Sequence, residues 1–227
     1  MLSALALAAC GDGSTTPAPT AVALELRSAP LDSVTVARRA AHPFVVRAID
    51  RAGRPVPGVL VYWTIDAGGG AAPTTPITDA NGESTAWWTP GTEAGDGRVI
   101  ASLDGARATF AVRVVPDVPA HIATIGGMEQ AAAPGSELAA PFVIDVRDRH
   151  GNLVPRAAVH WRIDGPDAGD HFMDAAPATD MRGRALARVR LGEAPGDRLI
   201  TVSVAGAGEA HFEIVAERTR ATRVPRP

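Results

Sequence analysis

The sequence contains no lysine: all 22 basic residues are arginine, against 25 acidic ones. The formal charge of −3 leaves no basic surplus with which to displace the counterions of a nucleic acid, so no nucleic-acid partner is expected. Cysteine occurs once, which rules out an internal disulfide and any multi-cysteine metal site. Long apolar runs are also missing. The one apolar stretch, Met1–Ala9, is far shorter than the roughly 20 residues that span a bilayer.

Catalytic signals are equally sparse. There is no nucleophilic serine motif and no glycine-rich turn opening a helix around phosphate. The six histidines are scattered without ligand spacing. Neither an enzyme nor a cofactor is expected. What the chain has is apolar residues, 46% of its length, ample for packed cores.

The opening "MLSALALAACGDGSTTPAPT" reads as the end of a signal peptide's hydrophobic region followed by a polar stretch. Leu7-Ala8-Ala9-Cys10 resembles the lipobox of bacterial lipoproteins. That resemblance implies cleavage before Cys10, acyl chains on the new N-terminus, and a lipid anchor in the membrane. An ordinary secretory cleavage at small residues such as Ala6 and Ala8, or a free thiol at Cys10, are the alternatives. No Lys or Arg precedes the apolar run, which leaves open that Met1 lies inside a longer signal peptide. Gly11 follows the cysteine where an Asp would imply retention at the inner membrane, so the outer membrane or cell surface is favoured. Residues 10–20 then form a tether; the ten from Gly11 to Thr20 reach at most about 35 Å.

Beyond the tether one phrase is written twice. "DRAGRPVPGVLVYWTID", Asp50–Asp66, returns as "DRHGNLVPRAAVHWRID", Asp148–Asp164. The copies resolve each other's ambiguity. Around Trp161 the alternate positions are Ala158, His160 and Arg162, which must face water, so Trp161 and, by register, Trp63 face the core. The same alternation sends Phe44, Val46 and Ala48 inward, with Phe142, Ile144 and Val146 as their counterparts. Turn signals at Asp50-x-x-Gly53, Asn81-Gly82 and Gly95-Asp96 separate the strands.

The expectation is all-β: two tandem immunoglobulin-like β-sandwiches of about seven strands each. The divisions are residues 1–9 (signal remnant), 10–20, 21–116 and 117–217 (the two sandwiches), and an arginine- and proline-bearing tail at 218–227. Pro116-Asp117-Val118-Pro119 is the stiff junction.

"DRAGRPVPGVLVYWTIDAGGG", "ITDANGESTAWW" and "GTEAGDGRVIASL", in that order, resemble the bacterial immunoglobulin-like group 1 domain, the module stacked in intimins and invasins. The second copy resembles it less closely. The resemblance implies rigid spacers, receptor binding in that family belonging to a separate terminal domain that this chain lacks. The expected function is therefore a surface-anchored lipoprotein serving as a structural spacer or adhesion module, with a cell-envelope protein or glycan as partner.

Two features point further. Register turns Trp88 inward and Trp87 outward, and an exposed Trp87, with Tyr62 and Leu60 also outward, is a candidate contact for a sugar or a partner protein. The alternative function, a carbohydrate-binding module, rests on Trp87. Secondly, Asp164, Asp167, Asp170, His171 and Asp174 fall within eleven residues. Clustered carboxylates can hold Ca²⁺, but no EF-hand pattern is present; a solvated acidic loop is preferred and no metal is expected.

Overall fold

The structure is a computed structural model that describes residues 20–29, 31–165 and 169–217. Short strands alternate inward apolar and outward polar residues, and the chain closes them into two sandwiches. In the first, β1 (Ala23–Leu26), β3 (Phe44–Ile49), β6 (Glu83–Ala86) and β5 (Thr74–Thr75) form one sheet in the order β1-β3-β6-β5. Facing it is β2-β8-β7-β4, built from β2 (Ser33–Thr35), β8 (Ala106–Val115), β7 (Gly95–Leu103) and β4 (Tyr62–Ala67).

The second sandwich repeats this plan. Its strands β9 (His121–Gly126), β11 (Phe142–Arg147), β14 (Arg184–Arg190) and β13 (His171–Ala175) face β10 (Gln130–Ala132), β16 (Gly208–Ala216), β15 (Gly196–Val204) and β12 (His160–Asp164). Among the described residues each sandwich thus has eight strands, one more than expected. The leading strand is divided: β1 pairs antiparallel with β3, and β2 crosses to the other sheet to run parallel to β8. Strands β9 and β10 do the same against β11 and β16. The pieces are three to six residues long, too short for a period-2 pattern to separate them.

The expected inward faces are the cores. Phe44, Val46, Ala48, Val99, Ala101, Val112 and Val114 are buried, as are Phe142, Ile144, Val146, Val189, Val202, Phe212 and Ile214. Corresponding phenylalanines pack in both, Phe44 on Phe110 at 4.9 Å between ring centroids and Phe142 on Phe212 at 4.8 Å. Trp63 and Trp161 point inward but are half-buried, each at the edge of its core. The indole N–H of Trp63 donates to Ser84 Oγ (2.9 Å), and that of Trp161 to the carbonyl of Ala176 (3.0 Å).

One core corner is filled in two different ways. In the first sandwich Trp88 is wholly buried and its ring lies against the backbone of Gly97; a Cβ there would come within 2.3 Å of it. The counterparts in the second sandwich are Val189 and Arg198. Where the indole ended, a guanidinium now sits, its side chain fully buried and its Nε donating to Asp170 Oδ2 at 2.5 Å. Its remaining donors reach the carbonyls of Ala194 (2.8 Å) and Asp197 (3.3 Å). A buried charge persists only when paired and hydrogen-bonded in this way.

Candidate functional site: the joint between the sandwiches

The phrase that the chain repeats opens on an aspartate turn, and the two copies use it differently. Asp50 Oδ1 accepts the backbone N–H groups of Ala52 and Arg54 (both 2.9 Å), while Oδ2 accepts from the side chain of that same Arg54 (2.9 Å). The turn is self-contained. Asp148 Oδ1 likewise accepts from His150 and Asn152, but its Oδ2 accepts the backbone N–H of Asp117, in the linker, at 2.9 Å.

Asn152 stands where the first copy has Arg54, and it reaches outward. Its Nδ2 donates to the carbonyl of Thr92 (2.8 Å) and to Asp148 Oδ2 (2.9 Å), and its Oδ1 accepts from the N–H of Ala94 (2.9 Å). One amide therefore grips both the donor and the acceptor of a backbone turn in the other sandwich. The counterpart of Ala94 in the second sandwich is Pro195, which has no N–H, so this joint surface occurs once among the two.

Asp117 completes the joint. Its carboxylate is nearly buried and lies 2.9 Å from Arg38 of the first sandwich and 3.3 Å from Arg149 of the second. The N–H of Val118, with both guanidinium groups, holds this carboxyl below its ordinary value. At Asp148 burial opposes ionisation, yet the bonds from the Asn152 side chain and from the Asp117, Asn152 and His150 amides prevail, and its acidity is raised. Both carboxylates are ionised at neutral pH, which is the state the bonds require.

The residues singled out from sequence lie elsewhere. Cys10 and Asp167 fall outside the described residues. Trp87 turns outward but is half-buried rather than exposed, because the Arg39 guanidinium stacks 3.8 Å from its ring centroid and occupies a face that a sugar would need. Tyr62 is exposed on β4, in the sheet opposite the one whose strand β6 leads into Trp87, and the neighbouring exposed Leu60 bridges Ile77. Tyr62 on β4 and Trp87 beyond β6 therefore stand on opposite sheets and do not share one contact surface.

The acidic stretch is dispersed. Asp170 is spent on Arg198 and on the N–H of Gly192 (2.8 Å). Asp164 accepts from Thr201 Oγ1 (2.7 Å) and pairs with Arg162 (3.0 Å). Asp174 sits in β13. Among the described residues no group of three or more His, Cys, Asp or Glu side chains is placed to hold a metal ion.

Residues 38–115 match the family model of the bacterial Ig-like domain, group 1. The second sandwich lies outside that match but repeats the topology of this Ig-like module strand for strand. Among solved structures the chain is similar to FdeC, an Escherichia coli adhesin, at 19% identity over 86% of this chain, with a TM-score of 0.66. It is also similar to InvD of Yersinia pseudotuberculosis, at 20% identity over 85% of this chain, with a TM-score of 0.57. The chain spans 63% and 58% of those two structures, and at these identities the likeness concerns the Ig-like fold alone. No curated protein matches the sequence.

Asn152, Asp117, Arg38 and Arg149 carry the joint; the sequence points to Asp117 only as part of the junction and to the other three not at all. The signal lay in the differences between the copies. Where Arg54 becomes Asn152, a self-closing turn becomes a joining one.

Proposed function

We propose that the chain is a lipid-anchored envelope protein whose two Ig-like modules form a stiff spacer, carrying an adhesive surface away from the membrane. The observation behind this reading is the Asn152 joint. A linker of five residues between strands, Pro116 to Ala120, holding two prolines and tied to both modules by Asp117, gives the modules little freedom to pivot. Rigid tandem modules transmit reach; a flexible linker would let the far module fold back on the surface. Similarity to an Escherichia coli adhesin accords with a place on the cell surface.

The anchor is assigned to Cys10 by its position at the end of the apolar run and ahead of the polar tether. Acyl chains contribute about 0.8 kcal/mol per buried CH₂, and stable attachment takes more than one. The test is cell fractionation and labelling with a fatty-acid analogue, comparing native chain and Cys10→Ser. The native protein is expected in the membrane fraction and labelled; Cys10→Ser is expected soluble and unlabelled. Equal membrane retention of the variant refutes the anchor.

A further inference from the structure

Beside the joint runs a groove of 440 Å³ whose lining includes Pro116, Leu153, Pro155 and Met181 together with Arg113 and Arg156. It lies where one sandwich meets the other, the kind of place where ligand clefts form. Arg156 is out of keeping with its backbone. The first sandwich has Val56-Pro57-Gly58 at the matching turn, and the second has Val154-Pro155-Arg156. Both third residues are left-handed, with φ of 76° at Gly58 and 58° at Arg156.

Both turns make the same backbone bond, from Gly58 N–H to Thr78 O at 2.9 Å and from Arg156 N–H to Thr179 O at 3.0 Å. Only the side chain differs. Glycine takes this conformation freely and arginine does not. Left-handed non-glycine residues also occur at Ala37, Asp104 and Glu129, but Arg156 is the one of these that lines the groove, and strained positions cluster at binding sites.

Arg156 is exposed and makes no ion pair among the described residues. Among the described residues Arg113 is paired only with Asp96, 2.9 Å away, whose side chain is 88% exposed. A pair held in water in this way is weak and readily exchanged for another carboxylate. Among the described residues no carboxylate lines the groove. Met181, 70% exposed at its wall, is a flexible apolar surface of the kind that adapts to varied partners.

We propose that this groove binds an acidic, extended peptide segment, whose carboxylates pair with Arg113 and Arg156 and whose apolar side chains lie on Met181, Pro155 and Leu153. Guanidinium forks match carboxylates in two-point geometry. Among the described residues no aromatic ring lines the groove, which leaves a sugar no ring face there on which to stack. The inference goes beyond the spacer reading and stands without it.

The test uses the full chain and a fluorescein-labelled peptide alternating glutamate and leucine, followed by fluorescence anisotropy. Arg156→Gly and Arg113→Gln are each expected to weaken binding at least tenfold, and added salt to weaken it further. Arg156→Gly is at the same time expected to melt roughly 4 °C higher, since glycine relieves the left-handed position. A loss of binding in a more stable protein excludes misfolding as its cause. Undiminished binding by Arg156→Gly overturns the proposal. Equal binding of a lysine–leucine peptide, or binding of an oligogalacturonate in place of the acidic peptide, overturns it as well.

Discussion

The corner occupied by Trp88 gives a sharp test of how the first core is packed. Replacing Trp88 by the valine found at the matching position of the second copy deletes most of a fully buried indole and its N–H bond to the carbonyl of Gly69 (2.9 Å). Large aromatic truncations in cores cost about 3–5 kcal/mol, and Val retains part of the volume, so roughly 3 kcal/mol is expected for Trp88→Val. Gly97→Ala does the opposite. Its new Cβ would lie 2.3 Å from the indole and 3.0 Å from the carbonyl of Val112, an overpacking that costs about 1–3 kcal/mol.

The two changes should offset each other, because the valine vacates the space the alanine enters. The double variant is expected to be more stable than the sum of the singles by about 1–2 kcal/mol. The Val112 carbonyl stays close and limits the gain. Guanidinium titration followed by tryptophan fluorescence reads the first sandwich well, since it contains Trp63, Trp87 and Trp88 while the second contains only Trp161. Additivity within about 0.5 kcal/mol would show that Trp88 and Gly97 do not share this space.

Asp170→Ala strands Arg198 as a buried unpaired charge and should destabilise the second sandwich by about 3–5 kcal/mol; a titration midpoint unchanged from native contradicts the buried pair. Acid should weaken the joint and the second sandwich together. The folded pKa values of Asp117 and Asp148 lie below the ordinary carboxyl value of 3.8, so the stability they confer is present above that pH and lost as the pH falls through the lower folded values. A melting temperature that is level above about pH 5 and falls below about pH 3.8, with a shallower fall in Asp148→Asn, is expected; a level profile down to about pH 2 contradicts it.

The architecture was legible because the chain states it twice. Val59–Ile65 alone is apolar on both faces, and only His160 and Arg162 in the second copy settle which side meets water. The same register placed Trp88 inward, and it is wholly buried. The divided first strand was not legible, since pieces such as Ser33–Thr35 are defined by the sheet they join rather than by periodicity. Long-range polar choices were hidden for a related reason. Nothing local distinguishes an Asn that closes its own turn from Asn152, which grips Thr92 and Ala94 about sixty residues away. Asp170 misled in the other direction: its neighbours in sequence suggested an ion-binding loop, while its partners in space are Arg198 and Gly192.

Whether the Asn152 joint holds the two modules at one mutual orientation is read from a distance distribution between them. Spin labels at Thr109→Cys and Glu213→Cys, both exposed strand positions, in a Cys10→Ser background, would be measured by pulsed electron resonance. The native joint predicts a single narrow distribution. Asn152→Ala removes the two hydrogen bonds to Thr92 and Ala94, about 1–3 kcal/mol of interdomain attachment, and should broaden it with the Asp117 linker intact. A broad distribution in the native protein, or an equally narrow one in Asn152→Ala, contradicts the claim.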